Sequence, residues 1–434
     1  MASVKSLSTN KRPWFWVPSV YYMEGFPGVM IMFVLGIMYK NFGVSNTEIT
    51  IYTGLLVMPW VIKPLWASLI DIIMTKRWWI YMMEIVVGCL FIAMAFAVKT
   101  PHYFILSIVL AWAIAFLSSS HDIATDGFYL IELNPSQQSF FVGVQSACYN
   151  IGKISATGLV VMLCGLLFTQ TQNYFTAWSF GLIVSGCTCI GIGLYHKFIL
   201  PHSEKKEHKT FKEAMHEFIE VYKDFFKIKG LVTAILFLFF YKLSESMIST
   251  ILPLFLLDPV SQGGLGLTNT FTGLAYGTVA PLTIILGGFL GGYAIYCKGF
   301  KYWIWWMIAA VNAPNAVYIV LAHYQIQSHA IVLSCLAFEQ FCFSFGYAAY
   351  LVFVYYMVKD SKYKTAHFAF FAGVMLLGIM IPKMISGWLQ QLMGYEHFFI
   401  FVIFMIIPAI IVVKFLKMNP AHFGRKKEEN NSHA

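Results

Sequence analysis

The chain has 434 residues, of which 59% are hydrophobic and 11% charged, under half the roughly 25% charged residues of soluble globular proteins. With a mean hydropathy of +0.70, these figures exclude a string of soluble domains. The net charge of +9 would suggest nucleic acid in a soluble chain; here lysine-rich loops explain it, and no nucleic-acid partner is expected.

From the N-terminus, Lys5, Lys11 and Arg12 lead into an apolar stretch from Trp14. No small-residue cleavage site follows, so a retained first helix is expected. About 20 apolar residues cross a ~30 Å hydrocarbon core. Segments that meet this lie near 14–39, 49–70, 78–98, 103–126, 140–167, 175–197, 231–257, 271–296, 302–322, 329–357, 368–391 and 397–417. The expected fold class is therefore an all-α membrane protein of about twelve transmembrane helices. An 18% aromatic content with 12 Trp and 24 Tyr suits belts at two membrane–water interfaces.

An even number of spans puts both termini on one side. The termini and even-numbered connections carry 23 Lys and Arg, whereas the opposite loops carry Lys40 and Lys99. This bias predicts cytoplasmic termini. The polar stretch 198–230 separates two six-helix halves, 1–197 and 231–417, and 418–434 forms a cytoplasmic tail. Within the linker, Phe211, Met215, Phe218, Tyr222 and Phe225 recur at helical spacing. They predict an amphipathic helix on the membrane surface, with a plain connector as the alternative.

The halves resemble each other. FGVSNTEITIYTG at 42–54 matches LGLTNTFTGLAYG at 265–277, pairing Gly43, Asn46, Thr47 and Gly54 with Gly266, Asn269, Thr270 and Gly277. Each copy enters the second span of its half. A duplicated, pseudo-symmetric arrangement of two six-helix halves describes the major facilitator fold, with the solute site near mid-membrane.

Ionisable groups within spans are the informative residues, since each costs at least ~2.5–3.5 kcal/mol there unless paired or hydrated. Glu24 precedes Gly25-Phe26-Pro27, a helix-loosening sequence, so a bend beside a carboxylate is expected in a solute pathway; pairing with a lysine is the other reading. Asp122 and Asp126 stand one turn apart beside His121, and their repulsion in low dielectric suits a proton carrier. Asp126, near the helix end, could instead cap a helix or clamp the halves. Lys242 and Glu245 share a helix face and either satisfy each other or expose Glu245 as a gating or proton-carrying group. Glu24, Asp122, Asp126, Glu245 and Glu339 are thus candidates for proton coupling. Lys63, Lys153, Lys242 and Lys383 could attract an anionic solute or act as internal ion-pair partners. Trp60, Gln145, Tyr149, Gln340 and Gln390 could stack on or hydrogen-bond a sugar or peptide. Gly287, Gly288, Gly291 and Gly292 form overlapping GxxxG pairs, a signal of close helix packing.

Energy conversion by ATP is not expected. Gly152-Lys153 lacks the glycine and hydroxyl residue that a P-loop requires, since positions 147 and 154 are Ala and Ile. The eight Cys form no CxxC pair and read as packing residues, with neither a metal site nor a disulfide framework. No catalytic cluster is evident, so an enzyme is not expected.

The run from Gly54 to Asp71, GLLVMPWVIKPLWASLID, together with Asp122-Ile-Ala-Thr-Asp126-Gly127, resembles the muropeptide permeases (AmpG type) and related acetyl-CoA transporters of the major facilitator superfamily. Gly25-Phe26-Pro27, Tyr241-Lys242-Leu243 ahead of Glu245, and the glycine-rich eighth span fit the same resemblance, which covers essentially the whole chain. It implies a proton-linked permease of the bacterial inner membrane, working by alternating access. It also implies that Asp71, Lys76 and Arg77 form a cytoplasmic gating latch. The matching second-half loop, YAIYCKGFK at 293–301, contains no acid. The expected activity is import of a bulky anionic solute, with a muropeptide first. A siderophore or acyl-CoA carrier working in either direction is the transporter alternative, and a membrane sensor the non-transporter one. A proton gradient is the expected driving force, with no cofactor, and a monomer in the lipid bilayer is the expected state.

Overall fold

The computed structural model describes residues 12–63, 65–67, 70, 74–202, 219–220, 222–359, 361 and 363–416. Among them every regular element is helical, and ten helices are long and apolar enough to cross a membrane. The first is α1 (Pro13–Asn41). The expected second span appears as α2 (Asn46–Leu55), followed by a short helix, Met58–Ile62, and its later part lies partly outside the described residues. Then come α3 (Lys76–Ala97), α4 (Tyr103–Glu132), α5 (Gly143–Thr171), α6 (Tyr174–Ile199), α7 (Leu231–Leu257), α8 (Asn269–Lys298), α9 (Phe300–Tyr324) and α10 (His329–Val358). The tenth, His367–Lys414, leaves helical geometry at Gly394, whose φ of 77° favours glycine. It therefore divides into α11 (364–393) and α12 (395–414).

Local sequence explains the boundaries. Ser45 caps α2 and exchanges a reciprocal bond with Glu48, and Asn134 with Gln137 does the same at the start of the helical stretch Pro135–Ile154 that runs into α5. Both satisfy donors that a helix start leaves open. Among the described residues three helices contain a π turn: Met30–Val34 in α1, Ser155–Val160 in α5 and Ala275–Val279 in α8. A π turn inserts one extra residue and loosens the ladder around it. In α1 the departure falls just beyond Pro27, whose missing N–H already removes one ladder bond.

The helices group into two compact units. One comprises 1–30, 63–156 and 179–211, and the other 31–62, 157–178 and 212–434. The chain passes from one unit to the other inside the π turns of α1 and α5.

In the first unit α1 packs on α5 and α4, and α3 packs on α4. Its core gathers Trp16, Val20, Tyr21, Ile80 and Phe128. Gly25 and Gly152 let α1 and α5 touch backbone to backbone, at the carbonyls of Tyr149 and Tyr22. Gly152 is thus a packing residue.

In the second unit α8 packs along α10, and α11 packs against α2 and α7. Phe237, Tyr241, Tyr350 and Phe353 anchor its core. Of the four clustered glycines, Gly287 and Gly291 lie against the carbonyls of Phe341 and Phe345, while Gly292 meets nothing. Phe211, Met215 and Phe218 of the expected surface helix lie outside the described residues. Phe225 is buried against His367, Phe370 and Phe371, and Tyr222 packs on Phe370, so this end of the linker is held by α11.

Candidate functional site

A cavity of about 290 Å³ lies within the second unit. Its walls come from α1 (Met32, Phe33, Gly36), α2 (Ile49, Thr53), α7 (Glu245, Ser249, Thr250), α8 (Tyr276), α10 (Gln340) and α11 (Lys383). Lys383 is its single cation and Glu245 its single acid among the lining residues. The surface between them is mostly apolar, as in small-molecule sites generally.

The π turns shape this cavity. Met32 lies in the π turn of α1, and the buried Lys383 donates through Nζ to its carbonyl. Thr157, in the π turn of α5, donates through Oγ1 to the carbonyl of Tyr276 in the π turn of α8 at 3.3 Å. The ring of Phe33 meets that of Tyr276 edge-on at 5.1 Å. Side chains of neighbouring helices thereby serve backbone oxygens at the irregular turns.

Behind Glu245 stands Glu339 of α10. Glu339 Oε2 accepts from the Tyr318 hydroxyl at 2.9 Å and from Gln340 Nε2 at 2.8 Å. The carboxyl groups of Glu245 and Glu339 meet each other, and Glu245 Oε2 and Glu339 Oε1 are enclosed without a donor. Two carboxyls can bond only if one carries a proton. Lys242 sits at a break in α7 (φ −103°) with Nζ over the rings of Phe343 and Tyr347, 5.4 and 5.1 Å from their centres. Its charge also acts on Glu245, three residues further along the chain.

At one end of the second unit, Lys40 Nζ lies 2.5 Å from Asp258 Oδ1 and donates to Asn46 Oδ1 at 2.7 Å. Asn46 Nδ2 bonds Gln390 Oε1 at 2.6 Å and the Tyr395 oxygen at 3.0 Å, and Tyr395 donates to Asp258. Thr47 adds a bond to Gln391 at 2.6 Å. This clasp joins the outer ends of α1 and α2 to α7, α11 and α12. The repeated segments now have a physical reading. Gly43 and Gly266 take positive φ ahead of each helix start, and Gly54 and Gly277 admit close neighbours, Met384 and Gly158. Asn46 reaches the clasp, and Asn269 donates to Asn41 Oδ1 at 2.5 Å.

The first unit holds a second polar cluster. The carboxyl of Glu24 meets that of Asp122, and Lys63 Nζ approaches Asp122 Oδ2 at 3.4 Å. Asp126 shares the field of Asp122 and Lys63. Three acids thus face one ammonium. Glu24 Oε2 and the Tyr21 hydroxyl are enclosed without partners. Glu24 on α1 and Asp122 on α4 correspond to Glu245 on α7 and Glu339 on α10, so each unit carries a carboxyl pair between the first and fourth spans of its half.

The remaining predicted residues are spread more widely. Lys153 Nζ lies 5.6 Å from the centre of the Tyr149 ring. Trp60 and Gln145 are half-buried, and neither lines the cavity. The Lys76 stem covers Gly127, and Arg77 donates to the carbonyls of Leu200 and Lys197, capping the end of α6. Asp71 lies outside the described residues.

One cluster escaped sequence reasoning. Buried Glu84 on α3 bonds His196 Nδ1 of α6 at 2.7 Å and His121 Nε2 of α4 at 3.1 Å, and His196 Nε2 meets Ser19 Oγ of α1 at 2.8 Å. His121 stood out in the sequence beside Asp122 and Asp126, but Glu84 lies 37 residues from it and His196 lies 112 residues from Glu84.

The helical architecture and a mostly apolar cavity with one acid and one cation, walled by several spans, fit a membrane transporter fold, and comparison with known proteins agrees. Residues 20–366 match the family model of the Major Facilitator Superfamily, and the chain belongs to that superfamily. It is 26% identical over 407 residues to the Rickettsia felis protein named "Putative transporter AmpG 4", covering 91% of this chain and 94% of the relative. A Rickettsia conorii protein of the same name is 25% identical over 409 residues, with the same coverage. Among solved structures, a bacterial homologue of the lysosomal transporter Spinster superposes with a TM-score of 0.68 at 12% identity, covering 94% of this chain and 96% of that one. The nucleoside transporter NupG gives 0.68 at 13% identity, covering 94% and 100%. The protein is thus a multi-pass membrane transporter.

Proposed function

We propose that the protein imports a bulky anionic solute together with protons across the bacterial cytoplasmic membrane, by alternating access. A muropeptide is the leading candidate, in keeping with the AmpG-type resemblance and the relatives that carry the AmpG name. The observation that carries this reading is one cavity with Lys383 on one wall and, on another, Glu245, whose carboxyl meets that of Glu339 behind it.

The chemistry follows from those groups. An anionic solute gains most from a cation already stripped of water, because the attraction is strong in low dielectric. Lys383 meets that condition, held by the Met32 carbonyl at the cavity wall. A proton placed between Glu245 and Glu339 supplies the donor that both lack and removes a buried charge, whereas its loss leaves two carboxylates facing each other. Solute charge and proton occupancy thus act on one cavity. Cytoplasmic termini, on the 23-to-2 lysine and arginine bias, orient the carrier in the membrane.

The test is uptake of a labelled anhydromuropeptide by proteoliposomes, with and without an inside-alkaline pH gradient. Accumulation that collapses with an uncoupler is the expected result. No uptake by folded, inserted protein would discard the muropeptide, and siderophores and acyl-CoA would then be tried in the same vesicles.

A further inference from the structure

A second concavity, of about 560 Å³, opens in the second unit where α7 and α11 begin and α10 ends. Lys227, Lys229 and Lys359 line it, together with Ser361, His367 and Asp224. Lys227 and Lys229 are exposed and Lys359 is half-buried. Among the described lining residues three ammonium groups stand against one carboxylate, which makes the lining cationic. The Ser361 hydroxyl oxygen accepts from the Tyr363 N–H at 3.0 Å and lies 2.7 Å from His367 Nδ1. His367 Nε2 lies 3.9 Å from Asp224 Oδ2.

The depth of the cleft is informative. Lys227 and Lys229 stand just before Leu231, the first residue of α7, and Lys359 follows Val358, the last of α10. The cleft therefore lies where the apolar helices end, at the level of lipid headgroups. Phe226 and Tyr355, each beside or one turn from a lining lysine, are 61% and 56% exposed, offering apolar contact to an acyl chain. Lysines that only obey the positive-inside rule snorkel singly into water; these three line one concavity.

We propose that this cleft binds the phosphate of an anionic phospholipid headgroup, phosphatidylglycerol being the probe of choice, in the leaflet that the lysine bias places on the cytoplasmic side. Binding here is independent of the solute carried. The test is native mass spectrometry of the full-length protein titrated with phosphatidylglycerol, with phosphatidylcholine as the neutral control. The triple variant K227A/K229A/K359A serves as comparison, its melting temperature confirming the fold. Each basic residue near an anionic surface is worth roughly a factor of five, so retention of phosphatidylglycerol should weaken on the order of 100-fold, with phosphatidylcholine unchanged. Equal retention by the triple variant would overturn the proposal. So would displacement of the lipid by inorganic phosphate at matched concentration, which would mark a site for free phosphate.

Discussion

Lys383 in α11 reaches across the cavity wall to the backbone carbonyl of Met32 in the π turn of α1. The ammonium is thus held in place by a neutral oxygen, with its charge left to act on whatever enters. Removing it should cost a charge-assisted contact worth roughly 1.5–3 kcal/mol, or about 10- to 100-fold in solute affinity. Lys383→Met, matched in length, is expected to raise the KM for an anionic solute by that factor in proteoliposome uptake. An unchanged KM would remove Lys383 from the binding site.

Glu245 and Glu339 should fail together. Either Glu339→Gln or Glu245→Gln replaces a shared, removable proton with a permanent amide donor. Solute counterflow is expected to persist in both variants, while accumulation driven by a pH gradient is lost. Full gradient-driven accumulation by both would assign the coupling elsewhere, with Glu24 and Asp122 next to be changed.

The Lys40–Asp258 pair is nearly enclosed, with side chains 12% and 5% exposed. Breaking a buried pair from one side leaves an uncompensated charge, at about 3–5 kcal/mol. Lys40→Ala and Asp258→Ala should each lower the melting temperature of the detergent-solubilised protein. The double variant should melt higher than the two losses added together, giving a coupling of roughly 0.5–3 kcal/mol. Additive losses would mean the two charges act separately.

Gly158 and Gly277 touch Cα to Cα where α5 meets α8. A methyl group at either has no space, and overpacking of this kind costs about 1–3 kcal/mol. Gly158→Ala is therefore expected to lower thermal stability. Gly292→Ala, on the same helix as Gly277 but facing open space, should leave it unchanged. Equal behaviour of the two would contradict the packing described for α5 and α8.

Much of the architecture was legible because a bilayer imposes a length on every span. Charged residues are excluded from such stretches, so the ends of α3, α6, α7 and α10 fall within a few residues of the positions read from apolar runs. The division between α11 and α12 was visible as a break in apolarity, and Gly394 supplies its geometry. The cavity was partly legible: Glu245, Gln340 and Lys383 attract attention as polar groups in apolar runs, and all three line it. What joins them was not legible, because partners such as Lys383 and Met32 are 351 residues apart. The clasp was hidden for a different reason. Lys40 and Asp258 sit at helix ends, where a charge ordinarily needs no explanation, so only the paired Asn46 and Asn269 hinted at a role. The π turns leave no mark in composition, as one extra residue per turn barely alters hydrophobic periodicity.

Those three turns have a mechanical consequence. Each α-helical residue advances the helix by about 100° of rotation, at 3.6 residues per turn, so one surplus residue is a stored fraction of a turn. A surplus of this kind can migrate along a helix by exchanging one hydrogen bond at a time, with no stretch of helix unwound. As it passes, the side chains it crosses swing to a new face while the rest of the helix keeps its ladder. Phe33 and Tyr276, which line the cavity, and Thr157, which bonds the Tyr276 carbonyl, occupy those turns in α1, α8 and α5, so that stretch of the cavity wall can be re-dialled by torsion.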